Sequence, residues 1–175
     1  VKEHPSNWVD ENKVPHKVVT IAPWGHKSIN IGGIAIKGCK LWCAPIPIWK
    51  NEVVYYDTST SPLQSYLKAI VVHHTDNQLS VRANEYKQRG KGYAALAYNF
   101  FIDKAGIVYE GRPLEIMGAH CGENIKNPGP LNDPDWGKIG IVLQGDYHHK
   151  DDVFFNSKAP QIQLETLEKL IVGLS

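Results

Sequence analysis

The short apolar run that ends at His73-His74-Thr75 constrains the fold of this chain more than any other stretch. Residues 69–74 are rich in aliphatic, β-branched side chains, which predicts a strand that carries imidazoles to the edge of a folded core. Successive side chains of a strand point to opposite faces, so one site normally receives only one of the two histidines. A neutral imidazole is a common zinc ligand, although a single strand-end histidine is more often structural. The run therefore predicts a strand with one candidate metal ligand at its end.

The composition is that of a globular protein, with 175 residues, 42% of them apolar and 21% charged. A formal net charge of +1 gives no electrostatic basis for binding nucleic acid or an anionic membrane. No apolar run approaches the roughly 20 residues of a membrane-spanning helix. The odd number of cysteines leaves at least one thiol unpaired, and the sequence leaves open whether Cys39 and Cys43 form a disulfide.

Residues 1–60 differ from the rest of the chain because they concentrate prolines and tryptophans, which argues against long helices. Short strands are predicted at residues 17–22, 28–36 and 52–56, with Gly32-Gly33 as a turn or bulge. We expect residues 1–60 to be an N-terminal extension or subdomain, and residues 61–175 to be the main domain. The start at Val1 rather than at Met suggests a processed protein or a fragment.

The main domain alternates strand and helix patterns. Strands are predicted at residues 69–74, 96–103, 107–112 and 138–147, and a turn at 103–106 joins the second and third as a hairpin. Ser80 is a suitable N-cap for a helix over 81–89. A last helix from Gln161 has an apolar repeat at Leu164, Leu167, Ile171 and Leu174. This order favours an α/β fold, a central mixed β-sheet flanked by helices, with an irregular β-rich N-terminal extension.

Five short segments recur in an order that is characteristic of one enzyme family. They are HHT at 73–75, AYNFFI at 97–102, GIVYEGR at 106–112, GAH at 118–120 and IGIVL at 139–143. In this order they resemble the zinc-dependent N-acetylmuramoyl-L-alanine amidases of the amidase type 2 group, which includes phage amidases and peptidoglycan recognition proteins. The resemblance covers residues 69–175 and implies the amidase type 2-like fold for a domain over 61–175.

The resemblance also implies a function. Peptidoglycan or muropeptides are the expected partners, and a zinc-bound water is expected to hydrolyse the amide between N-acetylmuramic acid and L-alanine of the stem peptide. The expected location is extracellular, periplasmic or associated with the cell wall. By position, His73 is the zinc ligand and Tyr98 lies near the attacking water as the catalytic residue, while His120 and Asn124 bind substrate. Glu110 is interpreted as structural, and the outward-facing His74 as a packing or hydrogen-bonding residue.

The chain departs from this pattern at the remaining zinc ligands. In the family, a histidine and then a cysteine or aspartate follow the last helix, whereas this sequence ends at Ser175 and has no histidine after His149. Three interpretations stay open. The domain lacks its C-terminal segment because the chain is a fragment, or His148 or His149 replaces a lost ligand, or the protein binds peptidoglycan without cutting it.

Overall fold

A six-stranded mixed β-sheet forms the centre of the structure, a computed structural model that describes residues 7–9, 15–17, 24–45, 47–48, 53–122, 132–147 and 158–175. In chain order its strands are β3 (Ser28–Ile31), β4 (Ile34–Lys37), β5 (Ala69–His74), β6 (Phe100–Ile102), β7 (Val108–Glu110) and β8 (Lys138–Leu143). Their order across the sheet is β3-β4-β7-β6-β8-β5. The neighbours β4–β7, β6–β8 and β8–β5 are parallel, and the pairs β3–β4 and β6–β7 are antiparallel. Two further strands, β1 (Asn7–Val9) and β2 (Pro15–Lys17), pair separately.

The strand predicted from the opening motif is β5, and its bounds agree with the prediction. Among the described strands its one neighbour is β8, with which it pairs in parallel, so it lies at one edge of this six-stranded sheet. His73 lies opposite Val142 and His74 opposite Leu143, which places both histidines where the two strands end. The sheet therefore delivers the candidate ligand to the carboxyl ends of two neighbouring parallel strands.

Some predicted strands are longer than the observed ones. Of the strand predicted over 96–103, only β6 is observed. The backbone groups of Ala97, Tyr98 and Asn99 instead form hydrogen bonds outside the regular strand pairing, with the loop after β7 and with β8. The segment predicted over 52–56 makes only an isolated bridge between Tyr55 and Ile116 within its described part, 53–56. Of the segment predicted over 17–22, only the first residue lies within the described part of the chain.

The described residues form three helices, α1 (Leu63–Tyr66), which was not predicted, α2 (Val81–Gly90) and α3 (Gln161–Leu174). The last two pack on the sheet through Val81 and Leu170. The Ser80 hydroxyl accepts a hydrogen bond from the backbone N–H of Ala83, as its N-cap assignment predicts. Of the repeat predicted for α3, Leu167, Ile171 and Leu174 pack against the core, whereas Leu164 is exposed and the fully buried residues are Gln163 and Leu170. Within the described residues, no helix has the length and apolarity needed to cross a membrane.

The main core lies between α3 and the sheet. Its buried residues are Ile36, Phe100, Ile102, Val108, Ile139, Ile141, Leu143 and Leu170. The fold class predicted from the sequence is thus confirmed. The β3–β4 hairpin lies within the first 60 residues and belongs to the same sheet as the strands of the main domain. A domain boundary near residue 60 stays a prediction.

All three cysteines are free thiols, Cys39 buried and Cys43 exposed.

Candidate metal centre

His73 and His74 occupy different environments, as strand alternation predicts. The half-buried His73 places its Nε2 atom 3.0 Å from Nδ1 of His120. The Nδ1 atom of His74 instead lies 3.3 Å from the backbone nitrogen of Tyr147 and 3.4 Å from the carbonyl oxygen of Gly145. Burial lowers the pKa of His73, although Asp135 opposes the shift. His73 is therefore neutral at pH 7 and offers a lone pair to a metal ion.

His120 lies in the loop after β7, and its imidazole is 0% exposed. The ring fits there because two glycines border it. A Cβ atom added to Gly118 or to Gly140 would overlap the His120 ring. Burial is the largest cause of a lowered pKa for His120, which keeps the ring neutral. Contact with a substrate requires an exposed group, and the imidazole of His120 is not exposed. The substrate-binding role expected for His120 therefore stays a prediction.

Asp135 fixes the segment that carries His120. Its Oδ1 atom accepts hydrogen bonds from the backbone N–H groups of His120 and Cys121, both at 2.9 Å. The same oxygen lies 3.3 Å from Nε2 of His120, but that nitrogen makes no hydrogen bond of good geometry, so their interaction is electrostatic. Sequence reasoning missed Asp135 because no local pattern reports a contact with a backbone group 15 residues away.

Cys121 completes a cluster of three metal-binding side chains. Its Sγ atom lies 3.1 Å from Nδ1 of His120, and the donor atoms of His73, His120 and Cys121 all lie within 4.8 Å of one another. Burial, with a contribution from Asp135, raises the pKa of the Cys121 thiol to about 11. The thiol is therefore protonated at neutral pH unless a metal ion displaces its proton. Sequence reasoning assigned Cys121 no role.

Tyr98 borders the same cluster. The centre of its ring lies 5.4 Å from that of His73 and 5.9 Å from that of His120, and it stacks on the latter at an interplanar angle of 20°. Burial raises the pKa of the Tyr98 phenol, and Tyr93 and Asp135 add to the shift. The hydroxyl is therefore protonated at neutral pH and can donate a hydrogen bond. The structure thus brings together three of the four residues that the sequence predicted for the site.

The other predicted positions lie elsewhere. Asn124 and the alternative ligands His148 and His149 lie outside the described residues. Glu110 is buried, and its carboxylate accepts hydrogen bonds from the backbone N–H groups of His26 and Cys39. These contacts agree with the structural role expected for Glu110.

A second group of metal donors consists of His74, Asp76 and Asp146. Asp76 is exposed, and exposed carboxylates commonly cluster in proteins that bind no ion there. This group is therefore a weaker candidate for a metal site than the first.

Residues 63–175 match the family model described as N-acetylmuramoyl-L-alanine amidase. The chain belongs to the N-acetylmuramoyl-L-alanine amidase family. The match covers the whole of the cluster around His73 and includes the parallel neighbours β5, β8 and β6. The resemblance read from the five motifs is thus confirmed.

The curated relatives of this amidase-family chain are peptidoglycan recognition proteins. Peptidoglycan-recognition protein SC2 of Drosophila simulans is 41% identical over 102 residues, which are 52% of this chain and 50% of the relative. Peptidoglycan recognition protein 1 of Bos taurus is 30% identical over 100 residues, or 50% of this chain and 47% of the relative. The chain spans about half the length of the curated relatives it matches.

Solved structures share the fold. The ectodomain of the Drosophila transmembrane receptor PGRP-LCa superposes with a TM-score of 0.55 at 19% identity, over 77% of this chain and 72% of the other. Drosophila peptidoglycan recognition protein SD gives 0.54 at 19% identity, over 77% and 70%. At these identities the likeness concerns the fold, and it agrees with the mixed sheet described above.

The three donors fit the zinc ion that the amidase family implies. Tetrahedral zinc with Zn–N bonds of about 2.05 Å and Zn–S bonds of about 2.3 Å separates its ligand atoms by roughly 3.3 to 3.6 Å. The two separations from Nδ1 of His120 are 3.0 and 3.1 Å, so shifts of a few tenths of an ångström would admit the ion. Imidazole and thiolate donors also suit zinc better than they suit magnesium or calcium.

Proposed function

We propose that this chain binds peptidoglycan or muropeptides and hydrolyses the amide between N-acetylmuramic acid and L-alanine of the stem peptide. The observation that carries the proposal is the convergence of His73 and Tyr98 on one cluster, in a chain of the amidase family. A protein with this substrate acts where peptidoglycan lies, in an extracellular, periplasmic or cell-wall-associated setting.

The residues of the cluster have separate tasks in this proposal. His73 would hold zinc with its Nε2 lone pair, which the lowered pKa keeps available at neutral pH. Zinc, when bound, supplies Lewis acidity and a nucleophilic water at neutral pH. The protonated Tyr98 hydroxyl would donate a hydrogen bond to the oxygen of the substrate amide as negative charge develops on it. Removing one such donor typically costs about 100- to 1,000-fold in kcat.

The test uses purified peptidoglycan and the zinc-loaded intact protein. Hydrolysis of the proposed bond releases stem peptides with a new amino group on L-alanine, which amine labelling and mass spectrometry detect. We expect Tyr98→Phe to lower kcat by about 100- to 1,000-fold, with little change in cosedimentation with peptidoglycan. Tyr86→Phe is the matched control, because Tyr86 is 82% exposed on α2 and should leave both readouts unchanged. Wild-type turnover by Tyr98→Phe would contradict the role of Tyr98.

Recognition without hydrolysis is the second candidate function. It is supported by the curated relatives, which are named for peptidoglycan recognition. A zinc-loaded protein that cosediments with peptidoglycan and releases no stem peptide would favour recognition. Asn124 remains a predicted substrate contact in both cases, so Asn124→Ala should weaken cosedimentation whichever function holds.

A further inference from the structure

We propose that Arg112 is a positioning residue for the Tyr98 hydroxyl. Its buried guanidinium holds the segment that carries Tyr98 against the segment that leads to His120. The inference rests on the proposed function only in taking Tyr98 to act on the substrate amide. Arg112 ends the motif GIVYEGR, and sequence reasoning assigned its side chain no role.

The segment that carries Tyr98 is the first argument. Residues 97–99 lie outside the regular strand pairing, so other groups must bind their backbone. Nε of Arg112 donates to the carbonyl oxygen of Leu96 at 2.8 Å, and the backbone N–H of Arg112 donates to that of Tyr98 at 3.0 Å. One residue thus binds the carbonyl of Tyr98 itself and the carbonyl two positions before it. A shift of Arg112 would therefore move the backbone from which the phenol projects.

The second segment that the guanidinium reaches is the second argument. Nη1 of Arg112 donates to the carbonyl oxygen of Met117 at 2.9 Å, three residues before His120. The His120 imidazole is the ring on which Tyr98 stacks, with an angle of 20° between the ring planes. Because a guanidinium is planar and rigid, its N–H groups fix the separation of the two carbonyls that accept them. Arg112 therefore sets the position of Tyr98 relative to the ring beside it.

The burial of a charge is the third argument. Arg112 is 2% exposed, and no described carboxylate forms an ion pair with it. Burial lowers the pKa of the guanidinium to about 10, although Asp135 opposes the shift, so Arg112 is still charged at neutral pH. A buried charge is costly, and an apolar side chain of similar volume would fill the space at lower cost. The charge strengthens the hydrogen bonds to Leu96 and Met117, which favours a role in holding these segments over a role in packing.

A double-mutant cycle separates positioning from a general structural role. Arg112→Lys keeps the charge, but an ammonium group cannot reproduce the planar fork. We expect Arg112→Lys to lower kcat for the release of stem peptides by about 100-fold, with a much smaller change in KM, because a misplacement of about 1 Å is enough for such a loss. In the Tyr98→Phe background, which has no hydroxyl to misplace, the same substitution should change kcat by no more than about twofold.

Arg82→Lys is the matched control, because Arg82 is exposed on α2 and the substitution should leave kcat unchanged. An equal loss of kcat by Arg112→Lys in the wild-type and Tyr98→Phe backgrounds would overturn the inference. Arg112 would then act on more than the Tyr98 hydroxyl.

NMR of the intact protein, labelled with ¹³C at the ζ carbon of tyrosine, gives a readout that does not depend on hydrolysis. The signal of Tyr98 is the one of the eight tyrosine signals that Tyr98→Phe removes. We expect Arg112→Lys to shift this signal and Arg82→Lys to leave it in place. An unshifted signal in Arg112→Lys would overturn the inference whatever the activity.

The outcomes separate this inference from the proposed hydrolysis. A signal that Arg112→Lys shifts, together with no release of stem peptides by the wild type, would leave the positioning role standing and remove the amidase proposal. Arg112→Gln provides a second variant, and circular dichroism shows whether both variants are folded. Loss of the folded state in both would also overturn the inference, because Arg112 would then be needed by the fold as a whole rather than by Tyr98.

Discussion

At the residue scale, Gly140 tests how tightly the fold positions His120. A Cβ atom at this position would overlap the imidazole ring, as would one at Gly118. We expect Gly140→Ala to displace the ring, to weaken zinc binding, and to lower the free energy of unfolding by about 1 to 3 kcal/mol through overpacking. Urea denaturation of the metal-free protein measures the stability, and a zinc titration with a competing chelator measures the affinity.

Gly90→Ala is the matched control for this substitution. Gly90 is the last residue of α2, and a Cβ atom added there would meet nothing within 4 Å. Alanine favours a helix over glycine by up to about 1 kcal/mol, so this variant should be as stable as the wild type or slightly more stable. Zinc affinity should not change. If Gly140→Ala matched Gly90→Ala in both measurements, the packing argument for His120 would fail.

The residues of the site differ in how far the sequence reveals them. His73 is predictable because a short apolar run and strand alternation are local patterns, and the structure places it where they indicate. Cys121 and Asp135 carry no such pattern. Cys121 adjoins His120 in the chain, and Asp135 bonds to backbone groups 14 and 15 residues away. Local sequence patterns do not encode contacts of this kind.

At the scale of elements, α3 is the helix whose packing supports the sheet. Leu170 is 0% exposed and belongs to the core cluster that includes Ile139 and Ile141 of β8. We expect Leu170→Ala to lower the free energy of unfolding by about 2 to 5 kcal/mol, because the lost side chain leaves a cavity between helix and sheet. Urea denaturation monitored by tryptophan fluorescence and circular dichroism gives the value.

Val172→Ala is the control within the same helix. Val172 is 72% exposed, and a surface substitution of this kind should change the stability by no more than about 0.5 kcal/mol. Equal effects of the two substitutions would mean that α3 does not pack on the sheet through Leu170.

The elements themselves were predictable to different degrees. The existence of α3 follows from its apolar repeat, and Leu167, Ile171 and Leu174 of that repeat pack against the core, whereas Leu164 does not. Gln163 is buried because its amide donates to the carbonyl oxygen of Ile102 and its oxygen accepts from the Tyr147 hydroxyl. A polar side chain with all its partners can occupy a core position, and Leu164 is left 42% exposed. Periodicity reports apolar spacing and cannot report such partners.

At the scale of the whole molecule, the cluster joins segments that are distant in the sequence. His73 ends an edge strand, and His120 lies 47 residues later in a loop after a different strand. An ion held at this cluster would stabilise only the folded chain, by about 2.7 kcal/mol when free zinc is 100 times the dissociation constant. We therefore expect the Tm of the metal-stripped protein to rise with added zinc, as differential scanning calorimetry would measure.

A second ion and two variants test whether this rise in Tm comes from zinc bound at the cluster around His73. Magnesium prefers oxygen ligands, so it should raise the Tm little if imidazole and thiolate are the donors. His73→Asn should lose the response to zinc. His74→Asn should keep it, because His74 faces the other donor group, with Asp76 and Asp146. The opposite result, in which His74→Asn abolishes the rise in Tm with zinc and His73→Asn retains it, would place the ion at that second group. In that case the strand alternation that selects His73 would have assigned the metal to the wrong face of β5.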